Sequence, residues 1–323
     1  MSSSWDQPVS KELRMVEEEI MRNVRSSEPL LTEIATHVIG SGGKRMRPGV
    51  SLLAFRAVGG TDLSKIIMLS AAIELIHSAT LVHDDINDGA EIRRGVIAAC
   101  RKYGTQRALI TGDFLFVKGF RLGGLAGSDD IVEIVADTCA GMAESEMLQS
   151  LVEYDHFLPL ETYLQIIEGK TAKPIEASAQ VGAYMGGGSA DQVEEMSTYG
   201  LNIGCAFQIV DDILDITGEE DTLGKKRGMD ILEGKPNLPL ILAMRDDSPG
   251  SARIREVFGK QSKTQEEVDE VLHLIQATDA LDEAMRYAES YREKALKGLD
   301  VLPDSEYKDA LRALADTVLE RNR

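Results

Sequence analysis

Two aspartate-rich segments carry the clearest chemical signal in this sequence. They are His83-Asp84-Asp85-Ile86-Asn87-Asp88 and Asp211-Asp212-Ile213-Leu214-Asp215, and each places aspartates at positions i, i+1 and i+4. Positions i and i+4 of a helix lie on the same face, so Asp84 points the same way as Asp88, and Asp211 the same way as Asp215. Like charges at this spacing destabilise a helix unless a cation neutralises them.

Both segments follow long apolar stretches, so part of each carboxylate cluster should be shielded from water. Mg²⁺ binds carboxylate oxygens together with the phosphate oxygens of a substrate. A solvated acidic helix end would explain one such cluster, but it explains two copies less well. We therefore expect the two clusters to face each other and to bind Mg²⁺, with Mn²⁺ as an open alternative.

Basic residues lie close to both clusters along the chain. They occur in the segments Gly42-Gly43-Lys44-Arg45-Met46-Arg47-Pro48, Arg93-Arg94-Gly95, Lys170-Thr171, Gly224-Lys225-Lys226-Arg227 and Gly234-Lys235. Any one of these would ordinarily be a surface cation. Together, in a chain that is otherwise acidic, they favour sites for phosphate groups, which Arg and Lys bind through charge-assisted hydrogen bonds.

The composition excludes several functional classes. The formal charge of −19 over 323 residues argues against broad binding to nucleic acid. Three scattered cysteines indicate reduced thiols and a cytoplasmic protein. The N-terminus lacks the layout of a signal peptide, and the most apolar run, from Leu69 to Val82, is interrupted by Glu74 and His77. We therefore expect no integral membrane segment.

Helical periodicity dominates the chain, and alternating strand patterns are scarce. The apolar spacing predicts helices over 9–26, 29–40, 48–58, 62–86, 106–122, 131–154, 160–184, 190–216, 238–243, 264–276, 280–296 and 306–321. Gly123-Gly124 and Gly186-Gly187-Gly188 are predicted to be turns between helices. The absence of a linker or repeat favours one all-α domain over residues 1–323.

These segments resemble the trans-prenyl diphosphate synthase family, in family order from Gly42 to about Pro239. Besides the motifs above, the resemblance includes Gly112-Asp113, Glu146 with Gln149, Phe207-Gln208 before the second aspartate cluster, and Glu233-Gly234-Lys235. It implies a single bundle of mostly antiparallel helices around a deep central cavity, usually in a homodimer. Met229 and Lys226 depart from the family's common pattern, which leaves details of diphosphate contacts open.

The resemblance also implies roles for individual residues. Asp84, Asp88 and Asp211 are expected to bind two or three Mg²⁺ ions directly, while Asp85, Asp212 and Asp215 complete the sites or act through water. Arg93, Lys170 and Lys235, with Lys225 nearby, are expected to bind an allylic prenyl diphosphate. Lys44, Arg47, His77 and Arg94 are expected to bind isopentenyl diphosphate. An isolated histidine such as His77 on an apolar helix would otherwise be interpreted as a core residue.

The implied reaction is a head-to-tail condensation that needs no protein nucleophile. Mg²⁺ and the cations stabilise the departing diphosphate, and the double bond of isopentenyl diphosphate attacks the allylic cation. The released diphosphate is a plausible base for the last proton. Thr171 and Gln208 are expected to stabilise the cation through their oxygen dipoles.

Product length is expected to depend on the helix that ends at Asp84. Short-chain members of the family block the cavity with a bulky aromatic residue four or five positions before the first aspartate, where this chain has the small residues Thr80 and Ala79. Ile76, further along the same wall, is of medium size. We therefore expect a product longer than C20, in the range C25 to C40, and a shorter product from a larger residue at Ala79.

Three other functions remain open at this point. A terpene cyclase or head-to-head synthase would share the first aspartate cluster, but it usually carries a different second metal motif. A non-catalytic regulatory subunit typically loses one cluster, whereas both are intact here. A helical scaffold or metal-binding protein would explain the acidic clusters but not the cations beside them.

Overall fold

The computed structural model of the chain describes residues 4–218 and 227–320, and these residues are mostly helical. The helices are α1 Ser10–Asn23, α2 Pro29–Gly40, α3 Met46–Ala57, α4 Leu63–Asn87, α5 Ala99–Tyr103, α6 Thr105–Ala126, α7 Asp129–Leu151, α8 Leu160–Ile167, α9 Lys173–Met185, α10 Ala190–Thr217, α11 Met229–Glu233, α12 Leu238–Met244, α13 Pro249–Phe258, α14 Gln265–Gln276, α15 Ala280–Gly298 and α16 Glu306–Glu320. A π-helical turn, Glu168–Ala172, joins α8 to α9. The prediction of an all-α fold is confirmed.

The Cα positions group into two compact units, each built from three segments of the chain. The first unit comprises Met1–Thr138, Pro174–Ser197 and Leu299–Ala313; the second comprises Cys139–Lys173, Thr198–Gly298 and Leu314–Arg323. The prediction of a single domain over 1–323 stays a prediction, and each unit is described below by itself.

Helix α4 is the central element of the first unit. Asp62 caps its N-terminus by accepting a hydrogen bond from the backbone N–H of Ser64 at 3.0 Å. It packs against α1, α3 and, most extensively, α6. The α6 contact is close because Gly119 has no side chain: a Cβ there would lie 2.7 Å from Cγ1 of Ile76 and 2.8 Å from the carbonyl oxygen of Ala72. Small residues therefore allow the two helix backbones to approach.

Helix α4 is also long and apolar enough to cross a membrane, by length and composition alone. However, 78% of its most apolar window is buried within the protein, which is typical of the core helix of a globular domain. Among the described residues it is the only helix that meets this criterion.

A two-stranded hairpin follows α4 in the first unit. Strand β1, Ile92–Arg93, pairs antiparallel with β2, Val96–Ile97, so that Ile92 faces Ile97 and Arg93 faces Val96. The turn residues Arg94 and Gly95 have φ of 52° and 78°, as the favoured two-residue hairpin turns require. The hairpin was not predicted from the sequence, because two-residue strands leave no alternating pattern.

The core of the second unit surrounds the C-terminal part of α10. Ile209, Ile213 and Ile216 are completely or almost completely buried, and they pack among apolar residues of α12, α13 and α14. Asn237 caps α12 by accepting from the N–H of Leu240 at 3.1 Å. Thr264 and Glu267 form a reciprocal capping box at the start of α14. This packing fixes the helix that carries the second aspartate cluster.

Most predicted helices are present with boundaries shifted by a few residues, but three predictions require correction. The helix predicted over 160–184 is present, but it is not uniformly α-helical, because Glu168–Ala172 form a π-helical turn within it. Gly123-Gly124 is not a turn; it lies within α6, which ends at Ala126. Helix α13, Pro249–Phe258, and the short helices α5 and α11 were missed altogether. The predicted turn at Gly186-Gly187-Gly188 is confirmed, and Gly187 has a φ of 78° there.

Candidate active site

The first aspartate cluster lies at the C-terminal end of α4 and is only partly buried. Asp84 is half-buried and Asp88 is exposed, whereas Asp85 is buried. Asp85 Oδ1 accepts from Arg93 Nε at 2.6 Å and lies 2.5 Å from Arg93 Nη2. Burial raises the pKa of Asp85, and the Arg93 guanidinium opposes this rise. Asp85 is therefore engaged with the hairpin, while Asp84 and Asp88 share the accessible face.

The second cluster shows the same division on α10. Asp211 is half-buried, whereas Asp212 and Asp215 are buried. Asp212 accepts three hydrogen bonds, from Tyr163 Oη at 2.6 Å, Gln208 Nε2 at 2.8 Å and the N–H of Leu238 at 3.0 Å. Burial, reinforced by the charge of Asp230, raises the pKa of Asp212 to about 8.

Asp215 is also directed into the protein. Its Oδ2 accepts from the backbone N–H of Asp230 at 3.2 Å, and its carbonyl oxygen accepts from the N–H of Gly228 at 2.8 Å. In both clusters, then, one or two carboxylates are accessible to solvent, whereas the others are buried. The six aspartates are thus not equivalent as metal ligands.

The donor chemistry fits a hard, oxygen-preferring cation, but not a complete protein cage. Within residues 4–218 and 227–320, no group of three or more His, Cys, Asp or Glu side chains is placed to hold a metal ion. Mg²⁺ commonly takes only one or two carboxylates and completes its octahedron with water and substrate phosphate. The accessible pair Asp84 and Asp88 fits that mode of binding.

The glycine-rich loop before α3 is held by a buried ion pair. Arg45 adopts a left-handed conformation with φ of 47° and begins α3. Its Nη1 lies 2.6 Å from Glu74 Oε1, and its Nη2 donates to the carbonyl oxygen of Ile39 at 3.0 Å. The side chains of Arg45 and Glu74 are 12% and 3% exposed, so the pair is shielded from water. It anchors to α4 both the loop that carries Lys44 and the first turn of α3, which carries Arg47.

Several cations converge beside this ion pair in the first unit. Burial, with the charges of Arg47, Arg94, Arg45 and Arg93, lowers the pKa of His77 well below its usual range. Its ring is therefore neutral at neutral pH. Burial also lowers the pKa of Arg47 to about 10, and Arg47 Nε is buried without a hydrogen-bond partner. A buried guanidinium with an unsatisfied donor suits an anionic ligand.

Arg94 reaches this region from the turn of the hairpin. Its Nη1 donates to the carbonyl oxygen of Gly42. A Cβ at Gly43, where φ is 143°, would lie 2.6 Å from Arg94 Nη1. Glycine at position 43 is therefore required both for the backbone conformation and for the approach of this guanidinium.

In the second unit, the π-helical turn presents Lys170 and Thr171 to different neighbours. Lys170 Nζ lies 2.6 Å from Glu146 Oε2 and donates to Gln149 Oε1 at 3.0 Å. Thr171 Oγ1 donates to Gln208 Oε1 at 2.8 Å. Because Gln208 in turn donates to Asp212, the second aspartate cluster is linked to the turn by hydrogen bonds.

Lys235 follows a tight turn that Tyr154 supports. Lys235 Nζ lies 3.0 Å from Glu233 Oε2, and Gly234 has a φ of 75°. The N–H of Tyr154 donates to the carbonyl oxygen of Gly234 at 2.8 Å, and a Cβ at Gly234 would collide with the Tyr154 ring. Tyr154 itself has a φ of 63°, a strained conformation for a bulky residue. Lys225 lies outside the described residues.

Comparison with known proteins identifies the family. The polyprenyl synthetase family model matches residues 28–275. The chain is 36% identical over 312 residues to octaprenyl diphosphate synthase from Haemophilus influenzae, covering 96% of this chain and 94% of that protein. It is 38% identical over 319 residues to a geranyl-diphosphate-specific all-trans-nonaprenyl-diphosphate synthase from Rhodobacter capsulatus, covering 97% and 96%.

A solved structure agrees with these relatives. The chain superposes with a TM-score of 0.95 on a polyprenyl synthase from Caulobacter crescentus, complexed with calcium and isoprenyl diphosphate. The two are 35% identical, and the match covers 100% of this chain and 99% of that one. The chain belongs to the polyprenyl synthetase family. It is a prenyltransferase, as its resemblance to the trans-prenyl diphosphate synthases implied.

The proposed chain-length positions of this polyprenyl synthetase differ in accessibility. Ala79 is completely buried and Ile76 is 6% exposed. Thr80 is half-buried, and its hydroxyl donates to the carbonyl oxygen of His77 at 2.8 Å. Of the three, Thr80 is therefore the side chain that can present its surface to a ligand.

Four supporting residues of this prenyltransferase had no assigned role in the sequence analysis. Glu74 left a signal, since it interrupts an apolar helix, but its partner Arg45 could not be inferred from spacing. Glu146 appeared as part of a motif without a role. Tyr163, which donates to Asp212, left no pattern, because 49 residues separate the two in sequence.

Proposed function

We propose that this polyprenyl synthetase condenses isopentenyl diphosphate head-to-tail with an allylic prenyl diphosphate to give a product longer than C20. The observation that carries this proposal is the group of cations around His77. Burial lowers the pKa of that histidine, and Arg47, Arg94 and Arg93 lie close enough to it for their charges to lower the pKa further. Such a concentration of guanidinium groups is stabilised by a multiply charged anion such as a diphosphate.

Isopentenyl diphosphate is assigned to Lys44, Arg47, His77 and Arg94. The support is the buried, unpartnered Nε of Arg47 and the neutral ring of His77, which can donate one hydrogen bond without adding charge. Arg45 is assigned to the support of this pocket rather than to the substrate, because Glu74 neutralises it.

The allylic diphosphate is assigned to Lys170, Lys235 and Arg93, with Lys225 as a further proposed contact. Lys170 and Lys235 each lie within 3.0 Å of a glutamate oxygen. A diphosphate can replace the glutamate as the partner of each lysine, because it carries more negative charge than one carboxylate.

Divalent cations, as Mg²⁺ with Mn²⁺ as the alternative, are assigned to Asp84, Asp88 and Asp211, in two or three sites. Bound there, they would neutralise the leaving diphosphate. Asp212 and Asp215 are proposed to orient the second cluster from within the protein, because hydrogen bonds to the surrounding chain occupy their carboxylates. Asp85 is likewise proposed to orient the first cluster, through its ion pair with Arg93.

The proposed reaction moves electrons from the allylic carbon–oxygen bond to the departing diphosphate. The double bond of isopentenyl diphosphate then forms the new carbon–carbon bond, and a proton leaves to the released diphosphate. Thr171 Oγ1 and Gln208 Oε1, held 2.8 Å apart, supply oxygen dipoles that stabilise the transient positive charge. Lys170 remains beside the departing group and balances its charge.

The product is proposed to lie in the range C25 to C40, because no aromatic residue stands at Thr80 or Ala79. Thr80 is the more informative position to change, since its side chain is accessible and that of Ala79 is enclosed. The Thr80→Phe variant should release a shorter product, measured by reverse-phase chromatography after dephosphorylation. Thr80→Ser is the matched control and should keep the original length. An unchanged product length from Thr80→Phe would refute the proposal that this position limits the length of the product.

The enzyme is proposed to be a cytoplasmic homodimer. Helix α6 exposes five large apolar side chains, Leu109, Ile110, Val117, Phe120 and Leu125, which are between 38% and 62% accessible. Several exposed apolar side chains on one helix are unfavourable in water and favour association. A second copy of the chain is the proposed partner.

The function is tested with purified protein, radiolabelled isopentenyl diphosphate and Mg²⁺, supplied separately with C5, C10, C15 and C20 allylic primers. Dephosphorylated products are then sized. The expected result is a discrete set of products ending above C20 and abolished by EDTA. No incorporation with any primer would instead favour a regulatory subunit, and a cyclic hydrocarbon would favour a cyclase.

A further inference from the structure

The π-helical turn Glu168–Ala172 is fixed tightly within the second unit. A Cβ at Gly169 would collide with Ser145 Oγ and would lie 2.9 Å from the carbonyl oxygen of Gly141, both on α7. On its other side, Ala172 is completely buried against Gly204 of α10. The backbone at Lys170 therefore has little freedom, and only its side chain can change partners.

The contact between Lys170 and Glu146 is close but poorly directed. The two charged atoms lie 2.6 Å apart, and the side chains are 27% and 32% exposed. Glu146 Oε2 nevertheless has no donor aimed at it with hydrogen-bond geometry. Lys170 does have a well-formed hydrogen bond, to the neutral Gln149 Oε1 at 3.0 Å. The pair is thus a contact of charges that Lys170 can leave while it keeps Gln149.

We propose that Glu146 is a positioning residue that competes with the diphosphate group for Lys170. This role depends on the proposed part of Lys170 in binding the allylic diphosphate. While the diphosphate is bound, its charge attracts Lys170 more strongly than one carboxylate does. After the reaction, Glu146 recovers Lys170 and weakens the hold on the released inorganic diphosphate. Glu146 therefore lowers affinity for the leaving group and speeds its departure.

The neutral variant Glu146→Gln separates this role from simple packing, because it keeps the shape of the side chain. Removing the competing charge should tighten binding of inorganic diphosphate by roughly two- to fivefold, as expected for a partly exposed ion pair. The KM for the allylic diphosphate should fall in the same proportion, and kcat should fall as product release slows. A purely structural role would instead weaken binding and raise KM.

The test measures inorganic diphosphate binding by isothermal titration calorimetry in EDTA, and its inhibition constant in the Mg²⁺-dependent assay. Glu144→Gln is the matched control: it removes the same charge from an exposed position on the same helix and should change neither value. Lys170→Met should weaken diphosphate binding, and adding Glu146→Gln to Lys170→Met should then have no effect.

Each outcome distinguishes the two proposals. If Lys170→Met leaves diphosphate binding unchanged, the assignment of Lys170 to the substrate is wrong. If Lys170→Met weakens binding but Glu146→Gln does not tighten it, competition by Glu146 is refuted while the proposed function stands. A tightening that persists in the Lys170→Met background would show that Glu146 repels the diphosphate directly, and this too would overturn the role through Lys170.

Discussion

Which basic side chains in this protein form buried ion pairs, and which keep an unpaired donor, depends on the fold rather than on their position in a motif. In the segment from Lys44 to Arg47, three basic residues lie almost side by side, yet Arg45 is committed to Glu74 while Arg47 keeps an unpartnered Nε. The sequence shows three similar cations. Only the folded chain shows which of them is neutralised, because Glu74 lies 29 residues further along.

The Arg45–Glu74 pair provides the first test at this scale. Glu74→Gln leaves Arg45 enclosed without its counter-charge, which should cost about 3–5 kcal/mol of stability. The KM for isopentenyl diphosphate should rise as well, because the loop with Lys44 and the first turn of α3 with Arg47 lose their anchor. Thermal unfolding and steady-state kinetics measure the two effects. Glu17→Gln removes an exposed carboxylate 3.8 Å from the same arginine and should change little; equal effects of the two variants would contradict the assignment.

His77 predicts a dependence of stability on pH. Its folded-state pKa lies well below its ordinary value of 6.5, because of burial and the neighbouring arginines. As pH falls below about 6.5, the unfolded chain gains a proton that the folded chain does not accept, so stability is lost by up to about 1.4 kcal/mol per pH unit. His77→Gln should flatten this slope between pH 6.5 and 5. Urea unfolding at several pH values measures it, and parallel slopes in both proteins would contradict the prediction.

At the scale of elements, the long helices could be predicted and their interruption could not. Apolar periodicity and capping residues located α2, α4 and α10 to within a residue or two, because these signals are local. The π-helical turn depends instead on glycines in three different helices, whose proximity no local pattern records. The hairpin, and the burial of some aspartates in each cluster, could not be predicted for the same reason, since each depends on contacts between residues distant in sequence.

The packing of the π-helical turn can be tested by filling its closest contact. Gly169→Ala should destabilise the protein by about 1–3 kcal/mol, because the new methyl group collides with Ser145. Ser145→Gly should restore only part of this loss in the double variant, because the carbonyl oxygen of Gly141 still lies 2.9 Å from the new methyl group. Chemical denaturation measures both. Gly40→Ala, at a helix position with nothing within 4 Å of the added Cβ, is the control and should be neutral or mildly stabilising. A double variant that is no more stable than Gly169→Ala alone would show that Ser145 is not the cause.

At the scale of the whole molecule, the acidic net charge and the exposed apolar side chains of α6 have different consequences for association. The charge of −19 repels other acidic surfaces, while the proposed reaction concentrates cations locally around its diphosphates. The accessible face of α6 departs from this acidic character. Its exposed apolar side chains are interspersed with three exposed charges, the basic residues Arg107 and Arg121 and the acidic residue Asp113. Exposed apolar side chains surrounded by polar groups are typical of a protein–protein interface.

Homodimer formation through α6 therefore has a direct test. Val117 is the most exposed apolar residue of that helix, at 62%. Val117→Glu would place an unpaired charge in an apolar interface, which costs several kcal/mol per subunit and is doubled by two-fold symmetry. Light scattering after size exclusion should show twice 35.3 kDa for the unmodified chain and a monomer for the variant. Met15→Glu, at an exposed position on α1, is the matched control and should remain dimeric. A monomeric unmodified chain, or a dimeric Val117→Glu variant, would show that this face does not join two copies.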